Sequence, residues 1–488
     1  MEVRMTLLTD SLKPSHLWKH FEQILKIPHC SGNEKAFGDY ILSVAKSLNL
    51  VGKRDRVGNI VVEKKPTAGH EKAETVILQA HLDMVCEKNS DVVHDFSQDA
   101  IRAEIKSDWV QAKGTTLGSD NGIGVAACLA VMEDKTLKHG PLQFLFTVDE
   151  ETGLTGATQI ESGALTGKKL LNLDSEEEGT FTIGCAGGAD SEITLPVQRH
   201  KSRHKNLYRL KIFGLRGGHS GLDIHKGRAN AIKLLVRLLA HAQQEFAFEV
   251  VRIEGGNKRN AIPREAWADF LFDSSQSRSL FSLFEKAFEK IKIENKVVEK
   301  DTQFSCEESE GDRENPLTSA SQRTLINFLY SLPHGVIAMH PEIPGLVETS
   351  TNLAIIHCEK EKAQIICSSR SSIGSALEAT RSMIRAVSEI AGAKVQQPDG
   401  YPGWMPNLES SLLKILKEVH KRVFNKEPVV QAVHAGLECG ILGERFPGMD
   451  MISFGPTIQY PHSPEERVHT PSVENFWKFL GAALEELA

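Results

Sequence analysis

Five short stretches of this 488-residue chain end in side chains that could bind a cation or move a proton. The apolar run 142–148 is followed by Asp149, Glu150 and Glu151. The apolar run 75–79 leads into Ala80, His81, Leu82 and Asp83. Residues 169–173 end in Asp174, Asp120 sits in the turn-like segment 118–121, and His462 lies between Pro461 and Pro464. Imidazole and carboxylate donors without thiolate suit Zn²⁺, Co²⁺ or Mn²⁺. His81 and Asp83 are two apart, so an extended backbone puts them on one face. A carboxylate there can accept the second ring N–H of a ligating imidazole and fix its tautomer. Glu150 and Glu151 are adjacent, and neighbours on an extended chain point to opposite faces. One could hold a cation while the other handles a proton, but alternation does not say which.

Each feature also has a structural reading. A lone His-x-Asp is commonly a surface pair or a cap. Asp120 suits a turn or a helix N-cap. Paired glutamates usually form a solvated face, and Asp174 precedes the acidic segment 175–178. What favours chemistry is recurrence. Several of these groups end runs that read as buried strands, and in a parallel sheet such ends share the edge where ligands bind.

The elements around them support that sheet. Ser31 and Glu34 form a potential capping box opening an amphipathic helix to about residue 49. Residues 122–132 read as a buried helix with small residues at its start. Strands alternating with helices predict an α/β domain with a mostly parallel sheet flanked by helices. From about 187 to 395 the pattern changes to shorter alternating strands, such as 207–213 and 364–370. Helices are expected near 228–246, 277–293, 315–331 and 375–391. This reads as an inserted α+β domain with an antiparallel sheet. The expected division is therefore 1–186 with 396–488 as the metal-binding domain and 187–395 as an inserted lid.

Length calls for more than one core. Composition is 40% hydrophobic and 25% charged, with a formal net charge of −7. No basic run suggests a nucleic-acid partner, and no segment has the ~20 apolar residues of a membrane span or the apolar stretch of a signal peptide. The eight cysteines (30, 86, 128, 185, 306, 358, 367 and 439) include no Cys-x-x-Cys pair. They read as reduced thiols of a cytoplasmic protein, with Cys128 and Cys367 as small core residues.

Taken in order, His81-Leu82-Asp83, the segments 118–122, 149–153 and 172–174, and Pro461-His462 resemble the di-zinc metallopeptidase family of carboxypeptidase G, aminoacylase and peptidase T. The segments 80–88, 175–179 and 434–439 are similar to its dipeptidase branch. The resemblance implies a di-zinc exopeptidase fold holding two Zn²⁺ per chain, with Co²⁺ or Mn²⁺ able to substitute. Asp120 would bridge the ions, His81 and Asp174 would complete one site, and Glu151 and His462 the other. Glu150 would be the general base and Asp83 would orient His81. A cis peptide is implied at Asp120–Asn121.

In the inserted domain, segment 216–221 resembles the family's lid motif. His219 would polarise the scissile carbonyl, while Asn260 and Arg370 would bind substrate. The implied activity is metal-dependent hydrolysis of dipeptides of broad specificity, Xaa-His dipeptides among them. An amidohydrolase acting on N-acyl amino acids would share the same metal set. Implied partners are the dipeptide and a second copy of the chain in a homodimer, with His219 acting in its own chain or across subunits.

Overall fold

The computed structural model describes residues 8–311 and 314–488. The chain divides into two compact units. One comprises Met1–Gly184, Pro406–Ala432 and Leu437–Ala488; the other comprises Cys185–Met405 and Val433–Gly436.

The first unit is built on an eight-stranded sheet. Its centre is four parallel strands in the order Leu142–Thr147, Val76–His81, Lys169–Asn172 and Asp450–Ser453. Every residue of Val76–His81 and Leu142–Thr147 is buried. This accounts for their continuous apolar reading, because a central parallel strand is covered on both faces. Antiparallel strands flank the centre: Ile60–Lys64 beside Leu142–Thr147, and Thr180–Cys185 beside Asp450–Ser453. The register pairs His81 with Thr147 and Gln79 with Asn172. His81, Glu150 and Asp174 therefore emerge at the same edge.

The helix Ser119–Glu133 is buried along nearly its whole length. Asp120 and Asn121 have non-helical dihedrals and are joined by a cis peptide, so the regular helix begins at Gly122. Small residues matter here because the helix lies close to the strand end carrying Asp174. A Cβ on Gly124 would lie 2.7 Å from the Leu173 carbonyl oxygen and would overlap the Asn121 side-chain oxygen. The capping box at Ser31 does not form. The N-cap of helix Lys35–Ser47 is Glu34 and has no side-chain cap; the Ser31 hydroxyl donates to Asp83 instead.

The second unit carries a nine-stranded sheet. All its registered pairs are antiparallel, including Asn206–Phe213, Gly187–Pro196, Val347–Cys358 and Lys362–Ser371. Helices Ala231–Ala242, Ser277–Asn295, Ser319–Ser331 and Gly374–Ile390 contribute to its core with Leu235, Leu239, Phe284, Leu325 and Ile384. The segment Lys394–Gln396 pairs with Gly187–Pro196, and Tyr401 bridges to Gly188. These contacts keep the chain in this unit through Met405, past residue 395.

Among the described residues, no helix is long and apolar enough to cross a membrane. Cys128 and Cys367 are buried core residues as expected. Cys30 and Cys86 depart from the expectation of eight thiols: they form a disulfide with Cα atoms 5.7 Å apart. They are 56 residues apart in sequence, and cysteine spacing alone does not determine such pairing. The contact that joins them is tertiary: the Met84 N–H donates to the His29 carbonyl at 3.1 Å.

The close approach at Gly124 predicts that Gly124→Ala overpacks the helix against Leu173 and Asn121. The expected destabilisation is about 2 kcal/mol, measurable by denaturant unfolding. Unchanged stability would show that the helix can shift away.

Candidate metal centre

His81 ends its strand fully buried, and its ring is fixed from both sides. Nδ1 lies 3.0 Å from the Asp83 backbone carbonyl and 3.6 Å from the Asp83 carboxylate. A carbonyl can only accept, so Nδ1 carries the proton and Nε2 is free to ligate. Nε2 faces Asp120 Oδ1 at 3.1 Å and Asp174 Oδ1 at 3.2 Å. The backbone carbonyl, more than the carboxylate expected from the sequence, is the nearer partner of the ring.

Asp83 has a second function. Its carboxylate accepts the N–H groups of Glu150 and Glu151 at 2.9 and 3.1 Å and the Ser31 hydroxyl at 2.7 Å. Burial alone would raise its pKa, but hydrogen bonding with and the charge of His81, helped by these donors, outweigh burial and bring the pKa down to about 2.

Asp120 uses both oxygens. Oδ1 faces His81, and Oδ2 lies 3.2 Å from His462 Nε2. His462 Nε2 is also 3.0 Å from Glu151 Oε2. Two three-residue sets result, His81–Asp120–Asp174 and Asp120–Glu151–His462, and they share Asp120. Tetrahedral ligands on bonds of about 2.0–2.1 Å stand roughly 3.3 Å apart. The observed donor separations of 3.0–3.2 Å match that spacing, and the donors are imidazole and carboxylate throughout. The residues thus fit two divalent cations.

Glu150 and Glu151 lie elsewhere than alternation predicts. The strand stops at Thr147, Asp149 has positive φ, and Glu150–Gly153 is a single helical turn. Neighbours on a helix are about 100° apart around its axis, not on opposite faces. Both carboxylates accordingly reach the same cluster as His81.

The electrostatics describe crowded acids. Burial first, then the charges of Asp174, Glu438 and Glu151, push Glu150 well above the usual carboxylate range, against the opposing effect of His81. Glu151 is raised by burial and by Asp120, against His462. Asp174 is raised by burial and Asp120, against His81. Hydrogen bonds to the Asp120 and Glu151 carboxylates pull His462 up to about 11. A site with this much mutual repulsion is relieved by cations.

Five buried side chains support these ligands without having been singled out as site residues in the sequence. Glu466, nearly fully buried, accepts the N–H groups of Leu117, Gly118 and Ser119 at 2.7–3.1 Å and holds the turn before Asp120. Gln79 donates to Glu438 at 2.6 Å, and Thr147 donates to the same Glu438 oxygen at 2.7 Å. Asn172 donates to Gln79. These four side chains, all buried, form a polar floor beneath the strand ends. Gln79 and Asn172 each stand two residues before a ligand, so strand periodicity could have indicated them.

The second unit holds His219, Asn260 and Arg370. His219 Nδ1 accepts the N–H groups of Gly221 and Leu222 at 3.2 and 3.0 Å, so the neutral ring carries its proton on Nε2. Burial and Arg370 lower its pKa, favouring that neutral form. Arg370 is buried and donates to the Tyr401 hydroxyl at 2.8 Å. Asn260 is exposed, and its carbonyl accepts the Ser220 N–H at 2.8 Å beside His219. His434, in the segment 434–439 for which no residue role was expected, lies within the electrostatic reach of Arg370, His225 and His219.

Residues 77–486 match the model described as Peptidase family M20/M25/M40. The chain is 42% identical over 479 residues to the cytosol non-specific dipeptidase of Escherichia coli, covering 98% of this chain and 99% of that protein. Its structure is similar to that of aminoacylhistidine dipeptidase from Vibrio alginolyticus. The TM-score is 0.92 at 43% identity, over 98% of this chain and 97% of the other. Aminopeptidase PepT from Bacillus cereus shares the fold, with a TM-score of 0.59 at 14% identity, over 98% and 99% of the two chains.

The raised pKa of His462 gives a prediction. Without a cation its ring is protonated up to about 11, and ligation requires the neutral ring. Cation binding must displace that proton, so the affinity of chelator-stripped protein should rise with pH. The expected slope is about tenfold per pH unit for each proton displaced. Titration calorimetry in buffers of different ionisation enthalpy counts the protons; a pH-independent affinity contradicts the assignment of His462.

Proposed function

This chain belongs to peptidase family M20/M25/M40, and from that premise we propose that it is a metallodipeptidase working through the cluster around Asp120. The observation that carries the reading is the sharing of Asp120 between two complete ligand sets. His81 and Asp174 would hold one divalent cation, Glu151 and His462 the other, with Zn²⁺ as the proposed ion and Co²⁺ or Mn²⁺ as substitutes. Cations bound there supply electrophilic catalysis and lower the pKa of water.

Glu150 is the proposed general base. It is half-buried, its carboxyl is pushed up by desolvation and by neighbouring acids, and neither ligand set built on Asp120 includes it. It would take a proton from the attacking water and return it to the leaving amine. Asp83 fixes both His81 and the backbone of Glu150, which keeps base and ligand in register. His219 would donate its Nε2–H to the oxygen that becomes negative as water adds to the carbonyl. Arg370 and Asn260 would hold the substrate's terminal carboxylate, which suits the guanidinium fork. The broad dipeptide specificity, extending to Xaa-His dipeptides, and the cytosol as the compartment are proposed from the names of the two full-length relatives.

Glu150→Gln is expected to keep both cations and lose about 10²–10⁴-fold in kcat; near-wild-type turnover would remove Glu150 from the mechanism. Arg370→Ala should raise KM for dipeptides by about 10- to 100-fold, as for loss of a charged hydrogen bond, with a smaller effect on kcat. A substrate profile of the metal-loaded enzyme over dipeptides, tripeptides and N-acyl amino acids tests the whole reading. Turnover confined to N-acyl amino acids would replace dipeptidase with amidohydrolase. Mixing His219→Ala with Glu150→Gln chains restores activity only if His219 is donated across subunits of a homodimer.

A further inference from the structure

The Cys30–Cys86 disulfide takes no part in the proposed reaction, yet both of its ends lead to residues that hold the ligand cluster. On one side is the loop 29–34, between the helices Ser15–Ile24 and Lys35–Ser47. The His29 carbonyl accepts the Met84 N–H at 3.1 Å, and Cys30 forms a β-bridge with Met84. The Ser31 hydroxyl donates to the Asp83 carboxylate at 2.7 Å. Glu34 accepts the N–H of Asp149 at 3.1 Å, where the turn bearing Glu150 and Glu151 begins. This one loop thus braces Asp83 and the start of the turn that Asp83 itself holds.

On the other side, Cys86 stands three residues past Asp83. Its neighbour Glu87 accepts the Thr116 N–H at 2.9 Å and donates its own N–H to the Thr116 hydroxyl at 3.2 Å. Thr116 leads directly into the turn 117–119 before Asp120. The disulfide is therefore the covalent fastening between the brace and the segment that reaches towards His81 and Asp120. All of these residues lie in the first unit.

Both Cys30 and Cys86 are partly exposed, so a thiolate in solution can attack the bond. Of the six remaining cysteines, only Cys306 is not buried. In a reducing compartment, an accessible disulfide is usually transient and redox-sensing rather than structural.

We propose that Cys30 and Cys86 form a redox-sensitive positioning device for the metal centre. Closed, it holds Ser31 and Glu34 against Asp83 and Asp149. Opened by a dithiol, it loosens the turn bearing Glu150 and Glu151 and weakens cation binding there. Opening consumes one dithiol. A thiolate of the reductant attacks one sulfur, the S–S bond breaks and a mixed disulfide forms. The reductant's second thiolate then displaces the protein sulfur. Two electrons and two protons pass to the protein, which gains two thiols, and the reductant leaves as a disulfide. Closing is the reverse exchange with a small-molecule disulfide as oxidant. Neither cysteine is in a ligand set; both act through Asp83 and Asp149.

The test compares wild-type protein before and after reduction with the Cys30→Ser/Cys86→Ser double variant. The reductant is a phosphine, which becomes its oxide with oxygen from water, because a dithiol would itself ligate Zn²⁺. The readouts are the thiol count, amide hydrogen exchange over residues 148–153 in metal-free protein, Zn²⁺ affinity by competition with a chromophoric chelator, and dipeptide turnover at limiting Zn²⁺. Reduction is expected to add two thiols and to speed exchange at Glu150 and Glu151 about tenfold, as for loss of one charge-assisted hydrogen bond. It should weaken Zn²⁺ binding about 10- to 100-fold, the range for losing a support of the ligands, and lower turnover at limiting Zn²⁺ in step. A small-molecule disulfide should restore all four readouts. The double variant should match the reduced wild type and ignore both reagents.

A merely structural crosslink would lower the unfolding midpoint and leave exchange and Zn²⁺ affinity within about threefold, which overturns the proposal. So does loss of the fold on reduction, checked by circular dichroism, or a phosphine effect that persists in the double variant. Eight titratable thiols after treatment with the small-molecule disulfide overturn it as well. If the double variant does not fold, the reduced wild type decides alone. Wild-type protein that binds Zn²⁺ but turns over no dipeptide overturns the dipeptidase reading, and exchange and affinity still decide this one.

Discussion

One carboxylate, that of Asp120, faces imidazoles through both of its oxygens, and the first unit is organised around keeping it there. Oδ1 points at His81 and Oδ2 at His462, which are 381 residues apart in sequence. A carboxylate in that position, with Asp174 and Glu151 beside it, is repelled by its own neighbours. Only cations, or protons on the imidazoles, balance it. Burial raises Glu150, Glu151 and Asp174 first; Asp120 adds to the shifts at Glu151 and Asp174, and hydrogen bonds to Asp120 and Glu151 raise His462.

Such a cluster would spread apart if it stood on flexible loops. Its supports are instead buried and hydrogen-bonded to one another. Glu466 ties down the turn before Asp120, and Asp83 ties the amides of residues 150 and 151 to the strand that carries His81. Beneath them the floor of Gln79, Thr147, Asn172 and Glu438 crosses three adjacent strands and reaches the helix Glu438–Arg445. Each floor residue ties one strand end to another. Buried polar networks of this kind fix a single arrangement because an unpaired member is costly.

The second unit has its own electrostatic character. Burial first, then the charge of Arg370, lowers the pKa of His219, and the same two causes, in the same order, bring His434 down to about 3. Arg370 remains as the fixed positive group.

The sequence alone determined what periodicity and composition can encode. The buried strands ending at His81 and Thr147, the small-residue helix after Asp120 and the antiparallel style of the inserted segment follow from runs of residues that share one environment. The ligand types were legible as well, because imidazole and carboxylate at successive strand ends have few other uses. What only the tertiary structure decided depends on partners distant in the chain. Ser31 looked like half of a capping box, but its hydroxyl serves Asp83. Glu150 and Glu151 looked like opposite faces of a strand, but a left-handed Asp149 starts a helical turn there. Cys30 and Cys86 looked like separate thiols, but backbone pairing between residues 29 and 84 brings them together. Glu466 looked like an ordinary acid, but its carboxylate holds the turn before Asp120. In each case local spacing specifies which groups are available, whereas hydrogen-bond and charge partners are chosen by packing, and packing brings together residues that no local pattern relates.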